Sequence, residues 1–191
     1  MDGIDGLAAS EAVMIGGIFG IFLFFTGSSG LAVIAWSLAA SAGGFLLWNW
    51  HPAKIFMGDT GSVLIGFSFS VLALASEKSG AIPILLWIIA LGACVIDATT
   101  TTFYRLWRGE RWFEAHRTFA YQRAVARGFR HDHVVASMLG LNIFLLALVA
   151  ISLLEPRMLL LSFTTAMIIL VLIWRNVQRG AIFPLKKQPP Q

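Results

Sequence analysis

"MDGIDGLAASEAVMIGGIFGIFLFFTG", residues 1–27, sets the problem and decides the fold. Two aspartates stand on a glycine-broken turn, and from about residue 7 to residue 27 the chain is apolar. A helix needs about 20 such residues to cross a bilayer. Comparable segments recur at about 31–50, 62–76, 81–103, 134–154 and 158–174. Only 13% of the 191 residues are charged and 58% are hydrophobic, with a mean hydropathy of +0.78, whereas a soluble domain is nearer one quarter charged. The expected fold is all-α: a polytopic integral membrane protein with about six transmembrane helices in a single transmembrane domain over 1–191. The segment 62–76 is short for a span and must thin the bilayer or extend into its flanks. Glycines within the spans, such as Gly16, Gly17 and Gly20, suit close helix packing.

The net charge of +4 is topological. With the 51–61 loop, the 104–133 loop and the C-terminal tail on one side, every lysine and arginine except Lys78 and Arg157 lies on that side. The positive-inside rule makes it the cytoplasm, with both termini there, and no nucleic-acid partner is needed. His51, His116, His131 and His133 fall on the same face. The acidic first residues argue against a signal peptide, and Cys94, the single cysteine, cannot form an intramolecular disulfide. The tail 180–191, ending "PLKKQPPQ", reads as basic, Pro-rich and disordered, with lysines suited to anionic lipid.

Four places carry polar chemistry. Asp2 and Asp5 are three residues apart and share a face on a helix or turn, although by themselves they read as an ordinary helix cap. In "HPAKIFMGDTGSVLIGF", Asp59 lies between glycines immediately before a span, with Lys54 nearby. A glycine-rich turn into a helix suits phosphate, and an Asp there suits a metal bridging to it. A capping role for Asp59, Thr60 or Ser62 explains neither the flanking glycines nor Lys54. Asp97 in "CVIDATTTTFY" is an intramembrane carboxylate, equally readable as functional or as an interfacial Asp bonded to neighbouring threonines. In the loop "YRLWRGERWFEAHRTFAYQRAVARGFRHDH", Arg105, Arg108 and Arg111 recur every three residues. That pattern suits both an interfacial helix holding anionic headgroups and an anion cradle with His116 and Arg117 as donors. Carboxylates for a divalent metal, cations for phosphate and a membrane together suit phosphoryl transfer between a nucleotide and a lipid carrier.

Taken in order, "MDGIDGLAA", "PAKIFMGDTGS", "VIDATTTTFYRL" and "EAHRTFAYQRA" resemble the polyprenyl-phosphate N-acetylhexosaminyl-1-phosphate transferases of glycosyltransferase family 4. That family includes the bacterial enzymes that start O-antigen and cell-wall glycans, and the MraY branch of peptidoglycan synthesis. The "EAHR…YQR" loop looks more like the O-antigen-initiating branch. The resemblance implies Mg²⁺-dependent transfer of a sugar-1-phosphate from a UDP-N-acetylhexosamine to undecaprenyl phosphate, releasing UMP, at the cytoplasmic face of the bacterial inner membrane. Membrane lipid is then a partner, and analogy adds a homodimer. Carried over residue by residue, Asp59 is the metal-binding and catalytic aspartate, and His116 and Arg117 begin the catalytic loop motif. Asp2 and Asp5 lie on the nucleotide side, and Asp97 is an acidic position before the loop. Lys54 and Arg105, the cations beside these motifs, are read with them as substrate-binding.

Two departures stand out. Phe119 replaces the motif's second histidine and cannot donate to phosphate. Family members also carry several spans and an Asp-Asp pair before "DGIDG". Met1 is therefore expected to be internal to a longer family pattern, and the isolated chain to be inactive. Two rival readings are a non-catalytic membrane protein or transporter half, and an intramembrane aspartyl protease pairing Asp59 with Asp97.

Overall fold

The computed structural model describes residues 3–109 and 119–180. Its helices are α1 (Leu7–Phe25), α2 (Ser29–Asn49), α3 (Gly58–Lys78), α4 (Ile84–Ala90), α5 (Gly92–Trp107), α6 (Ala120–Ala126), α7 (His131–Leu154) and α8 (Leu159–Arg179), with a 3₁₀ turn at Pro156–Met158. The described residues contain no strand, so the all-α expectation holds. Five helices, α1, α2, α3, α7 and the stretch Pro156–Arg179, are long and apolar enough to cross a membrane. The third span is not short. Its helix runs 21 residues, from Gly58 to Lys78, because it takes in the glycine-rich turn at one end and Glu77 and Lys78 at the other.

The segment 81–103, expected as one span, is instead two helices, α4 and α5, bent by 80° at Leu91. Apolar periodicity cannot reveal such a break, because both halves remain hydrophobic. Gly92 sits at the bend, where a Cβ would lie 2.6 Å from Leu170 of α8, so a larger residue would push the two apart. The bent pair still carries the chain from one end of the bundle to the other. At the far end the Ile82 carbonyl accepts from Ser76 of α3, and at the near end Trp174 of α8 donates to Thr101 of α5. Taken as one broken span, it brings the candidate passages among the described residues to six.

Large side chains such as Phe25, Leu47, Val63, Phe67 and Leu160 face outward, where lipid solvates them. Small residues let the backbones meet inside. At Gly16 a Cβ would stand 3.0 Å from the Ala35 carbonyl, and at Gly20 it would run into the Trp36 ring. Trp36 lies across α1 and donates its Nε1–H to the Gly17 carbonyl at 3.1 Å. Trp87 is central to the core. It packs on Phe19 with ring centroids 4.0 Å apart and donates its indole N–H to Ser76 at 2.8 Å. A buried indole thus keeps its one donor satisfied where no water is available.

A smaller apolar cluster joins Ile4 and Leu7 to Tyr121 and Ala124 of α6 and to Val134 and Val135 of α7. It fixes the entry to α1 against two later elements. Gly3 is pressed so closely on Tyr121 and Gln122 that a Cβ there would be 2.7–2.8 Å from their side chains.

Gly20→Leu is expected to wedge α1 from α2 and destabilise the bundle by about 1–3 kcal/mol. Trp87→Ala should cost about 3–5 kcal/mol through its cavity and lost packing. Thermal unfolding in a neutral detergent checks both; wild-type stability in either variant would contradict this packing.

Candidate active site

Gly6 ends the N-terminal turn with φ 76°, a left-handed conformation that glycine adopts without a Cβ penalty. Its N–H donates to the Asn49 carboxamide oxygen at 3.0 Å, and the Asn49 amide donates onward to the Ile55 carbonyl at 2.8 Å. Buried Asn49, the last residue of α2, therefore pins both the entry to α1 and the 50–57 loop. Helix α2 stops there because Pro52 cannot continue it.

This pinning brings Asp5 against His51, which follows α2, and His131, which opens α7. Asp5 Oδ2 lies 2.7 Å from His51 Nδ1, accepts from the Ala53 N–H at 3.3 Å, and lies 3.3 Å from His131 Nδ1. The Asp5 N–H also donates to His131 Nδ1 at 3.3 Å. A ring nitrogen that accepts cannot simultaneously donate, so neutral His131 is held by the backbone and His51 by the carboxylate.

Burial alone would raise the Asp5 carboxyl. The hydrogen bonds from His51 and Ala53 and the nearby His131 and His51 charges outweigh it and hold the group below its ordinary 3.8. One ligand atom from each of Asp5, His51 and His131 lies within 4.8 Å of the others, close enough to hold a metal. Two imidazoles and one carboxylate match zinc-like ions, not the all-oxygen set of magnesium.

The other expected site residues are placed as follows. Asp59 occupies the first turn of α3, exposed, with Thr60, Val63, Leu64 and Phe67 along an open groove of about 540 Å³. It stands on the outward face of that helix. Lys54 lies over the Trp48 ring, 5.2 Å from its centroid. No hydrogen bond or ion pair among the described residues joins Asp59 or Lys54 to Asp5. Arg105, in the last turn of α5, is buried rather than open to solvent. Asp2, His116 and Arg117 lie outside the described residues.

Asp97 has a structural occupation. Both of its oxygens accept from the Ala120 N–H at 2.9 Å, and Thr101 donates at 3.2 Å. It thus satisfies backbone donors at the start of α6 from a different helix, across 23 residues of sequence. Asp59 is not among these partners. A protease dyad, in which two carboxylates share a proton, requires the contact that is missing here.

Sequence reading missed three residues. His51 and His131 were visible only as histidines on one face, because their meeting with Asp5 depends on the approach of three helix ends. Glu11, in "AASEAV", lies one turn into α1 and is only 3% exposed. Its neighbours on α1, Ala12 and Ile15, belong to the main apolar core, and among the described residues its Oε1 and both side-chain polar atoms of the wholly buried Asn142 of α7 have no hydrogen-bond partner.

Residues 1–77 match the family described as glycosyl transferase family 4. The chain is 35% identical over 135 residues to a probable undecaprenyl-phosphate N-acetylglucosaminyl 1-phosphate transferase of Bacillus subtilis, covering 69% of this chain and 37% of that protein. It is 39% identical over 84 residues to the phospho-N-acetylmuramoyl-pentapeptide-transferase of Moorella thermoacetica, covering 44% of this chain and 26% of the relative. A like-named protein of Porphyromonas gingivalis is 34% identical over 102 residues, covering 46% and 24%. The matched stretches thus span 24% to 37% of the length of these relatives. The resemblance expected from the motifs is borne out. No solved structure matches the chain significantly.

Because the folded-state Asp5 carboxyl lies below 3.8, its contribution is fully present above that value and is lost as the pH falls through the lowered one. Acid titration of stability should show this loss in the wild type and lack it in Asp5→Asn; identical acid limbs would contradict it. Asp97→Ala should cost about 1–2 kcal/mol by orphaning the α6 donors, as measured by thermal unfolding.

Proposed function

We propose that the protein transfers an N-acetylhexosamine 1-phosphate from a UDP-sugar to undecaprenyl phosphate, initiating O-antigen or cell-wall glycan synthesis at the cytoplasmic face of the bacterial inner membrane. The observation that carries this reading is the pairing of the matched N-terminal stretch with one polar end of an apolar bundle. Asp5, His51, Asp59, Asp97 and His131 all belong to segments that meet at that end. The relatives' names supply the lipid phosphate and the sugar phosphate.

The chemistry asks the protein to place two phosphates in line and to neutralise their charge. Mg²⁺ is bound by one or two carboxylates together with substrate phosphates, and the ion would supply charge neutralisation at the diphosphate. The Asp59 carboxylate fits that demand. It is exposed at the first turn of α3, and no side-chain hydrogen bond among the described residues occupies it. In this reading Asp59 is the metal and catalytic carboxylate. Asp5 is held ionised on the nucleotide side by His51, Ala53 and His131, and Lys54 lies in the loop between them. Asp2, Asp97, Arg105, His116 and Arg117 complete the proposed set, and Asp97 also holds the start of α6. The outward groove at Asp59 offers the apolar wall of Val63, Leu64 and Phe67 to a polyprenyl chain.

The test is transfer of labelled sugar phosphate from UDP-N-acetylglucosamine to undecaprenyl phosphate in membranes containing the full-length protein. Transfer should require Mg²⁺, and Asp59→Asn should lower it about 100-fold while the protein accumulates normally. Transfer indifferent to Asp59→Asn and to chelation would overturn the assignment. An Asp59→Asn protein that fails to assemble would favour a structural role for this residue.

A further inference from the structure

We propose that the cavity between the near ends of α5, α6 and α8 binds the phosphate of an anionic phospholipid. The cavity encloses about 460 Å³ and is lined by Tyr104, Arg108, Arg123, Trp174, Arg175 and Arg179, with Gln178 beside them. Among the described residues, no carboxylate lines it. Arg108, Arg175 and Arg179 bring three guanidinium groups to one space, and a phosphate pairs with arginine through two parallel hydrogen bonds.

Cations at helix C-termini are common because they offset the helix dipole. Here that role is already filled at α8. Arg127 donates to the Val177 carbonyl at 2.7 Å and to the Gln178 carbonyl at 3.4 Å. Arg175 and Arg179 are exposed residues of the same helix end and are not needed for that purpose. Arg123 makes contacts of its own, so Arg108, Arg175 and Arg179 are the three on which the binding depends.

The wall is built, not merely charged. Arg108 stacks over Tyr104 at 4.7 Å, Tyr104 meets Trp174 edge-on at 6.1 Å, and Trp174 is fixed by its hydrogen bond to Thr101. The depth is that of lipid headgroups. Phe103, Leu106 and Trp107 beside the cavity are exposed on the last turns of α5, Trp107 at 91%, as aromatic and apolar side chains are at a membrane interface. Val171 and Leu172 of α8 continue an exposed apolar surface toward the membrane interior. A lipid would use both the arginines and this track, whereas free phosphate would use only the arginines. Basic pockets between helices at this depth recognise lipid headgroups in this way. None of the three arginines is assigned to sugar-phosphate transfer.

The full chain, purified in a neutral detergent, is titrated with phosphatidylglycerol or phosphatidylcholine, and bound lipid is read by native mass spectrometry. The wild type should retain phosphatidylglycerol in preference to phosphatidylcholine, and millimolar inorganic phosphate should not displace it. The triple variant Arg108→Gln, Arg175→Gln, Arg179→Gln should weaken retention at least about tenfold. The single variant Arg179→Gln, at an exposed position, should lose about fivefold and Arg179→Lys less, which keeps the test decisive should the triple variant fold poorly. Equal retention of the two lipids, or wild-type retention in the single and triple variants, overturns the proposal. Displacement by inorganic phosphate overturns its lipid part and leaves a simple anion site in its place.

Discussion

The Asp5 carboxylate ties together three chain segments that are far apart in sequence. Its Oδ2 lies 2.7 Å from His51 and 3.3 Å from His131, which are 46 and 126 residues away, and it accepts from Ala53. The entry to α1, the exit from α2 and the start of α7 are thereby held at one end of the bundle. Asn49 reinforces this by joining Gly6 to Ile55. Such polar ties, together with the interhelical hydrogen bonds of Trp36, Trp87 and Trp174, add direction to the van der Waals packing that sets the relative heights of helices in lipid.

The same economy appears at Asp97. A carboxylate inside an apolar helix is costly, and its cost is offset by donors that would otherwise be orphaned at the start of α6. One interaction solves two problems, since α6 is only seven residues long and has no side-chain cap of its own. Helix α6 in turn presents Tyr121 and Ala124 to the small cluster with Ile4 and Leu7. The N-terminal turn that carries Asp5 therefore rests on a helix that Asp97 anchors, so the two aspartates are mechanically connected although they do not touch.

The polar end separates into regions of opposite character. Asp5 and Asp59 belong to the α1–α3 side, while the arginines of the cavity belong to α5, α6 and α8. Such a division follows from charge alone, because carboxylates repel phosphates except where a cation intervenes.

The sequence by itself determined the class of the fold and its polar end. Twenty-residue apolar runs admit only helices in lipid, since every backbone donor must be satisfied within its own segment. The motifs around Asp5 and Asp59 also carried the family resemblance. What the sequence could not determine were the meetings of distant residues. The bend at Leu91 was hidden because both halves of 81–103 are equally apolar, and at the bend Gly92 leaves no room for a Cβ against Leu170. His51 and His131 gave no signal of their own, and the Ala120 N–H that meets Asp97 across 23 residues of sequence was equally invisible. Each depends on which helix ends approach one another, and only the tertiary structure decides that, because side-chain packing and polar satisfaction are properties of the assembled bundle rather than of any one segment.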